Sequence, residues 1–414
     1  MLDFNRLARQ IPSISTHLSQ EAEKSRQRLE LAEKLMQQAT ARQVELVAKQ
    51  KTWRDRLFFP CAEPVEPLDT RVYLNTAPPI HTVMATDGSQ IAPSHHEIAY
   101  CYLINVGQVI LHYGRSVHPL LNSIPEVFYK PEDLYVSRQW GISTEEWLGY
   151  RRTVSEATFL AELGNAWVNS PHYKCPSENQ QELPPKKPVP TIAMVDGSLI
   201  YWFLEQLPTE VRDRILPPIL AAWQQLRSDG IPLVGYLSAP RSIESINFLR
   251  LQACPHLNPD CFSHCPRNDD KFDYKTPCQI FEPLRDSSFW GLLLQPGQRG
   301  PWWRSYARIL DLYGEENYVY FCYVNVGAEI ARIEVPAWVA ENYAMLDMAL
   351  SLTITQVQKG YGYPVVLAEA HNQAVVTGGD RSRFFTLLER EMIKTGLKNV
   401  ATSYKEARKR GSIA

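Results

Sequence analysis

The sequence predicts a mixed α/β fold, and three observations carry that prediction. The tripeptide Asp-Gly-Ser occurs twice, at Asp87-Gly88-Ser89 and Asp196-Gly197-Ser198, each time directly after a short apolar run. From about residue 80 onward, strand-like apolar runs alternate with helix-like stretches. Residues 13–59 contain neither Gly nor Pro and are dominated by Glu, Gln, Lys, Arg, Ala and Leu, a helical composition.

The elements follow in order. Residues 13–59, bracketed by Pro12 and Pro60, read as one or two long helices. Leu18, Ala22, Leu29, Ala32, Leu35, Met36, Ala39 and Val47 form an apolar stripe. Such a stripe needs a partner: the body of the protein, a second helix or a second copy of the chain. Thr82–Thr86 reads as a buried strand ending at the first Asp-Gly-Ser. His96–Val106 and Val109–Arg115, split by Gly107, read as a hairpin. A helix is expected at Thr144–Val168, then a Pro-rich surface insertion at about 170–190, then a second buried strand, Thr191–Val195. Helices are expected at 201–206, 210–227 and 337–359, and strands at 231–237, 318–326 and 329–335. Tyr363–Leu367 reads as a last buried strand leading into a helix near Glu369. The expected organisation is a helical arm (1–60), a main domain (61–400) with insertions at about 170–190 and 254–280, and a basic tail (401–414).

Composition narrows the function classes. The chain has 414 residues, 44% hydrophobic and 21% charged, as soluble globular proteins do. No apolar run reaches membrane-spanning length. The first residues, Met1-Leu2-Asp3-Phe4-Asn5-Arg6, lack a basic segment followed by an apolar stretch, so a secretory signal is not expected and a cytoplasmic location is. A net charge of −2 argues against a broadly basic nucleic-acid coat. A local basic groove remains compatible with it. The end of the chain is basic (Lys394, Lys398, Lys405, Arg408, Lys409, Arg410), which suits a solvated tail first and a phosphate-contacting one second.

The repeated tripeptide carries the chemistry. Asp-Gly is a favoured turn dipeptide, and a single copy would read as a turn. Two copies, each after a buried strand, place Asp87 and Asp196 at strand ends, where open α/β sheets build their sites. Paired carboxylates supply hard oxygen ligands to the divalent metals that cleave phosphodiesters. A helical Glu would extend the set. Glu156 and Glu162 both qualify, and Glu156 is favoured because Ala157, Phe159, Leu160 and Leu163 read as the packed side of that helix. His371, just past Tyr363–Leu367, would supply an imidazole ligand or orient a phosphate; its alternative is a purely structural histidine.

These motifs, in this order, resemble the NurA family of DNA-repair nucleases. The resemblance spans about residues 80–395 and includes the late Tyr-Pro (Tyr363) followed by Ala-His (His371). It implies an RNase H-like mixed sheet flanked by helices. It also implies a manganese-dependent deoxyribonuclease (Mn2+, with Mg2+ as the alternative), a 5′-3′ exonuclease or single-strand endonuclease acting on DNA ends in double-strand break repair. Asp87, Asp196 and His371 match the family's metal site, Tyr363 its active-site tyrosine and Glu156 its helical acid, with Glu162 left open. The implied partners are DNA, a HerA-type hexameric ATPase and a second copy of the chain. A competing class is a non-catalytic DNA-binding adaptor of such a ring ATPase, and a third is the same chemistry on RNA.

Two further features carry candidate residues, the first of them an insertion outside the family pattern. Cys254, Cys261, Cys265 and Cys278 fall in one window with His256 and His264. In a reducing compartment this suggests a structural metal centre, Zn2+ first and an Fe–S cluster second, although paired Cys-x-x-Cys knuckles are lacking. Gln298–Arg304 contains Arg299, Trp302, Trp303 and Arg304, a mixture suited to stacking bases and neutralising phosphates, or else to a core. Arg241, Arg381 and Arg383 are further phosphate-contact candidates, and Asp380 is an extra acidic candidate whose commoner role is a cap.

Overall fold

A computed structural model describes residues 2–94, 97, 99–173, 188–265 and 275–396. Most of the Pro-rich insertion and the residues from 397 onward, with Lys398, Lys405, Arg408, Lys409 and Arg410, lie outside the described residues. The elements begin with α1 (Phe4–Ala41), α2 (Gln43–Trp53), β1 (Glu63–Pro64), β2 (Val72–Tyr73), β3 (His81–Ile91), β4 (Tyr102–Tyr113) and β5 (Leu120–Phe128). Next come α3 (Pro131–Leu134), α4 (Thr144–Val168), β6 (Thr191–Asp196), α5 (Thr209–Ser228), β7 (Leu233–Leu237), α6 (Glu244–Ala253), α7 (Cys261–His264) and α8 (Asp286–Leu293). The remainder are β8 (Gln298–Arg299), β9 (Trp303–Arg304), β10 (Val319–Asn325), β11 (Ile330–Pro336), α9 (Ala337–Ala340), α10 (Tyr343–Lys359), α11 (Val365–Ala374) and α12 (Gly378–Lys394).

The chain divides into two compact units. One comprises Met1–Asn75, Gly197–Ile200 and Tyr236–Ala340; the other comprises Thr76–Asp196, Tyr201–Gly235 and Glu341–Ala414. The expected mixed α/β architecture is present.

In the first unit, β10 and β11 pair antiparallel, β9 joins β1 to β10, and β8 joins β2 to β10. Its core gathers Ala32, Met36 and Ala39 of α1 with Phe248, Phe289, Trp290, Trp303 and Tyr323. The N-terminal helix starts earlier than the sequence suggests, capped by Asp3 and running through Pro12, and it breaks at Arg42. Only its second half is packed. Phe4, Leu7, Ile11, Ile14 and Leu18 form an exposed stripe at spacings of three and four. A buried ion network joins β11 to α6. Arg332 bonds Glu244 at 2.6 Å and Glu334 at 2.7 Å, and Glu334 accepts from the Ser198 hydroxyl at 2.9 Å and the Leu199 amide at 2.7 Å. Pairing and full hydrogen bonding offset the cost of burying these charges. They also fix Ser198, the serine of the second tripeptide.

In the second unit the sheet runs β5-β4-β3-β6, with β7 beside β6. β3, β4 and β5 are antiparallel and β6 runs parallel to β3. Helices α4 and α11 both pack on β3 and β4. Successive side chains of a strand point to opposite faces, so Asp87 and Gly88 look opposite ways. Gly88 looks toward α4. Gly107, directly across from Asp87, looks toward α11.

Four expectations are corrected here. Gly107 is not a turn: β4 runs straight through it. A Cβ there would stand 2.5 Å from the Ala370 carbonyl oxygen and 2.6 Å from the Ala374 nitrogen, so the glycine exists to let α11 lie against the sheet. The first Asp-Gly-Ser does not end a strand, because β3 continues to Ile91 and pairs with β4 throughout. Tyr363–Leu367 is not a strand. Pro364 caps α11, which begins at Val365, and His371 falls in its last turn. A short apolar run such as Val365-Val366-Leu367 satisfies a buried helix as well as a buried strand. The helix expected at 337–359 is also interrupted, with Asn342 capping α10 through its side chain.

Candidate metal centre

β3 and β6 carry the aspartates of the two tripeptides on adjacent parallel strands. Their parallel pairing matches Thr82 with Thr191 and Ala85 with Met194. Continued by two residues, that register sets Asp87 level with Asp196. The apolar residues Val83, Met84, Ala85, Ile192, Ala193 and Met194 are fully buried and anchor both strands beneath the acids. Asp196 closes β6, and Gly197 turns the chain away at φ 118°, a conformation that favours glycine.

Three further side chains, those of His371, Tyr363 and Glu156, assemble around this pair. His371 Nδ1 lies 2.8 Å from Asp87 Oδ2. The Gly88 amide donates to Asp87 Oδ1 at 2.8 Å. Tyr363 donates to Asp196. Glu156 approaches from α4 through the space left by Gly88, where a Cβ would meet Glu156 Oε1 at 2.5 Å. The Thr86 hydroxyl donates to the Glu156 carbonyl at 2.8 Å, tying α4 to β3 at this point. α11 is tied down too: Asn105 Nδ2 donates to the Ala374 carbonyl at 2.8 Å, and the Ser89 hydroxyl donates to the same oxygen.

The acids strain one another electrostatically. Burial first, then the charges of Asp87 and Asp196, push the Glu156 carboxyl up to about 7 against the opposing pull of Arg152 and the Gly88 amide. Asp196 is also raised, first by burial and then by Asp87, while the Tyr363 hydrogen bond and His371 oppose the rise. Carboxylates that raise each other in this way form a negative centre that a cation would relieve. Among the described residues, no three His, Cys, Asp or Glu side chains are drawn together closely enough to chelate one metal ion.

All five residues expected at the centre, Asp87, Glu156, Asp196, Tyr363 and His371, are thus brought together in one unit. Glu162, six residues along α4, is exposed and takes no part. Arg152, which sequence reasoning missed, ion-pairs with Glu156 at 3.3 Å. Its position four residues before Glu156 is the signal that would have found it.

The aromatic and basic candidates fare differently. Trp302 and Trp303 are 3% and 1% exposed and present no face to a base; they are core, which corrects the stacking expectation. Arg299 is held by a two-pronged bond to Glu66 at 2.6 and 3.0 Å, so its charge is already matched. Arg304 lies half-buried over the Tyr318 ring at 4.4 Å. Arg241 is exposed, and Arg381 pairs with Glu97 at 3.5 Å. Asp380 caps α12 through Thr377, the commoner role expected of it.

A family model, the NurA domain, matches residues 81–376, well over half the chain. The chain belongs to the NurA domain family. The matched span takes in all five residues of the centre. No curated protein matches the chain. Among solved structures, the NurA nuclease from Sulfolobus solfataricus is similar, at 11% identity and a TM-score of 0.44, covering 78% of this chain and 87% of that one.

Proposed function

We propose that this NurA-domain chain is a metal-dependent DNA nuclease with an RNase H-like core. One observation carries the reading: Asp87 and Asp196, far apart in sequence, stand on adjacent parallel strands with Glu156 and His371 beside them. The strand order β5-β4-β3-β6-β7 supports the RNase H-like part. So does the pattern of three antiparallel strands, a helix and a parallel fourth strand.

The donor set is hard oxygen plus one imidazole, which fits manganese or magnesium. Asp87, Asp196, Glu156 and His371 would hold the ion or ions. When bound, divalent metal activates the attacking water and stabilises the leaving oxygen of the phosphodiester. The protein does the rest. Asp87 orients the largely exposed His371 ring through Nδ1. Tyr363 fixes the Asp196 carboxylate and would position water or phosphate beside it. Arg152 offsets the charge of Glu156. The reading extends to DNA ends in double-strand break repair, 5′-3′ exonuclease or single-strand endonuclease action, a cytoplasmic location, a HerA-type ring ATPase as partner and a homodimer. The exposed stripe on α1 supports a helix-borne contact with another chain.

The test is a manganese titration of the purified protein on linear DNA. Release of nucleotides that rises with manganese and stops on chelation is expected. DNA binding without products at any manganese concentration would contradict the nuclease and leave the adaptor reading.

A further inference from the structure

The first unit contains a second built site. Cys254, Cys261, Cys265 and Cys278 line one small cleft, with His256, His264 and Arg250. Cys254 ends α6, Cys261 opens α7, Cys265 ends it, and Cys278 sits in a turn further on. All four thiols are free. All four cysteines line the wall of this one cleft, so their sulfurs share a common space. They ring that space without closing on a point, since no three ligand side chains among the described residues approach closely enough for one ion. His256 and His264 stack on each other with ring centres 4.2 Å apart.

An independent observation gives the sign of the missing charge. Arg250 is 7% exposed, and its Nε is buried without a hydrogen-bond partner. Its Nη2 reaches Thr276 at 2.9 Å and the Cys278 sulfur at 3.6 Å, and its guanidinium lies 3.8 Å over the Phe59 ring. A buried guanidinium with an idle donor is costly unless an anion lies beside it.

From this we infer that Cys254, Cys261, Cys265 and Cys278 hold an iron–sulfur cluster of the four-iron type, one thiolate to each iron, with Arg250 beside it as counter-charge. A four-iron cluster fills a ring of thiolates that is too wide for a single zinc ion, and with four thiolates it is anionic. Cys-to-metal bonds would pin α7 and the turn at Cys278 to the end of α6. The inference concerns this unit alone and does not depend on the nuclease reading.

The test uses full-length protein purified without oxygen, assayed for iron, acid-labile sulfide and zinc. About four iron and four sulfide per chain are expected, with a broad visible absorption that dithionite bleaches. About one zinc per chain without sulfide overturns the inference. So does failure to take up iron when ferrous iron and sulfide are supplied. Cys278→Ala should lower bound iron at least about tenfold, while Cys101→Ala, in the other unit, leaves it unchanged. Iron retained by Cys278→Ala contradicts the assignment. Should that variant not fold, the stoichiometry of the unaltered protein decides.

Discussion

Asp87→Ala is expected to lower cleavage of end-labelled linear DNA by at least roughly a thousandfold, with the fold intact. Asp87 lies in the middle of β3, and its side chain is only 22% exposed. It nonetheless contributes little to stability. Its side-chain partners are the largely exposed His371 and the Gly88 amide, and its charge raises both Glu156 and Asp196. Removing it relieves that repulsion. Melting temperature without metal should therefore hold or rise while activity is lost. Undiminished digestion by a folded Asp87→Ala protein would remove Asp87 from the chemistry.

The second large effect separates the two helical acids. Glu156→Ala should lower cleavage by roughly a hundredfold, and Glu162→Ala should leave it unchanged. Glu156 fills the space above Gly88 and feels both aspartates, whereas Glu162 is exposed on the same helix. A pH experiment on the chelated protein gives a second readout. Glu156 titrates near 7 in the fold and near 4.5 when unfolded, so its ionisation opposes folding. That cost is absent below pH 4.5, grows from 4.5 to 7 and is complete above 7. Glu156→Gln should accordingly raise the melting temperature at pH 8 and not at pH 4.5. Equal activity losses in the Glu156 and Glu162 variants would indicate a general helix effect instead.

Much of this site was legible in the sequence because its signals are local. The apolar runs before Asp87 and Asp196 are buried strands, and α4 matches the expected span, Thr144–Val168, because Ser143 and Glu146 form a capping box at its start. What local pattern could not supply was the reason for the glycines. Gly88 and Gly107 read as turn residues, yet both sit inside strands and admit neighbouring helices. Close approach of a distant helix leaves no mark in the flanking residues. The same limit explains Tyr363–Leu367, where β-branched residues follow Pro364 and tertiary packing selects a helix. Trp302 and Trp303 show it again: beside two arginines they suit a nucleic-acid surface, but Glu66, far away in sequence, takes up Arg299 and the indoles go inward.

Asp87, Glu156, Asp196 and His371 are proposed to hold catalytic metal together, and crystals soaked in manganese would test this. Anomalous density is expected within ligand distance of both Asp87 and Asp196, lost in Asp87→Ala. Manganese bound elsewhere, or density that persists unchanged without the Asp87 carboxylate, would contradict it.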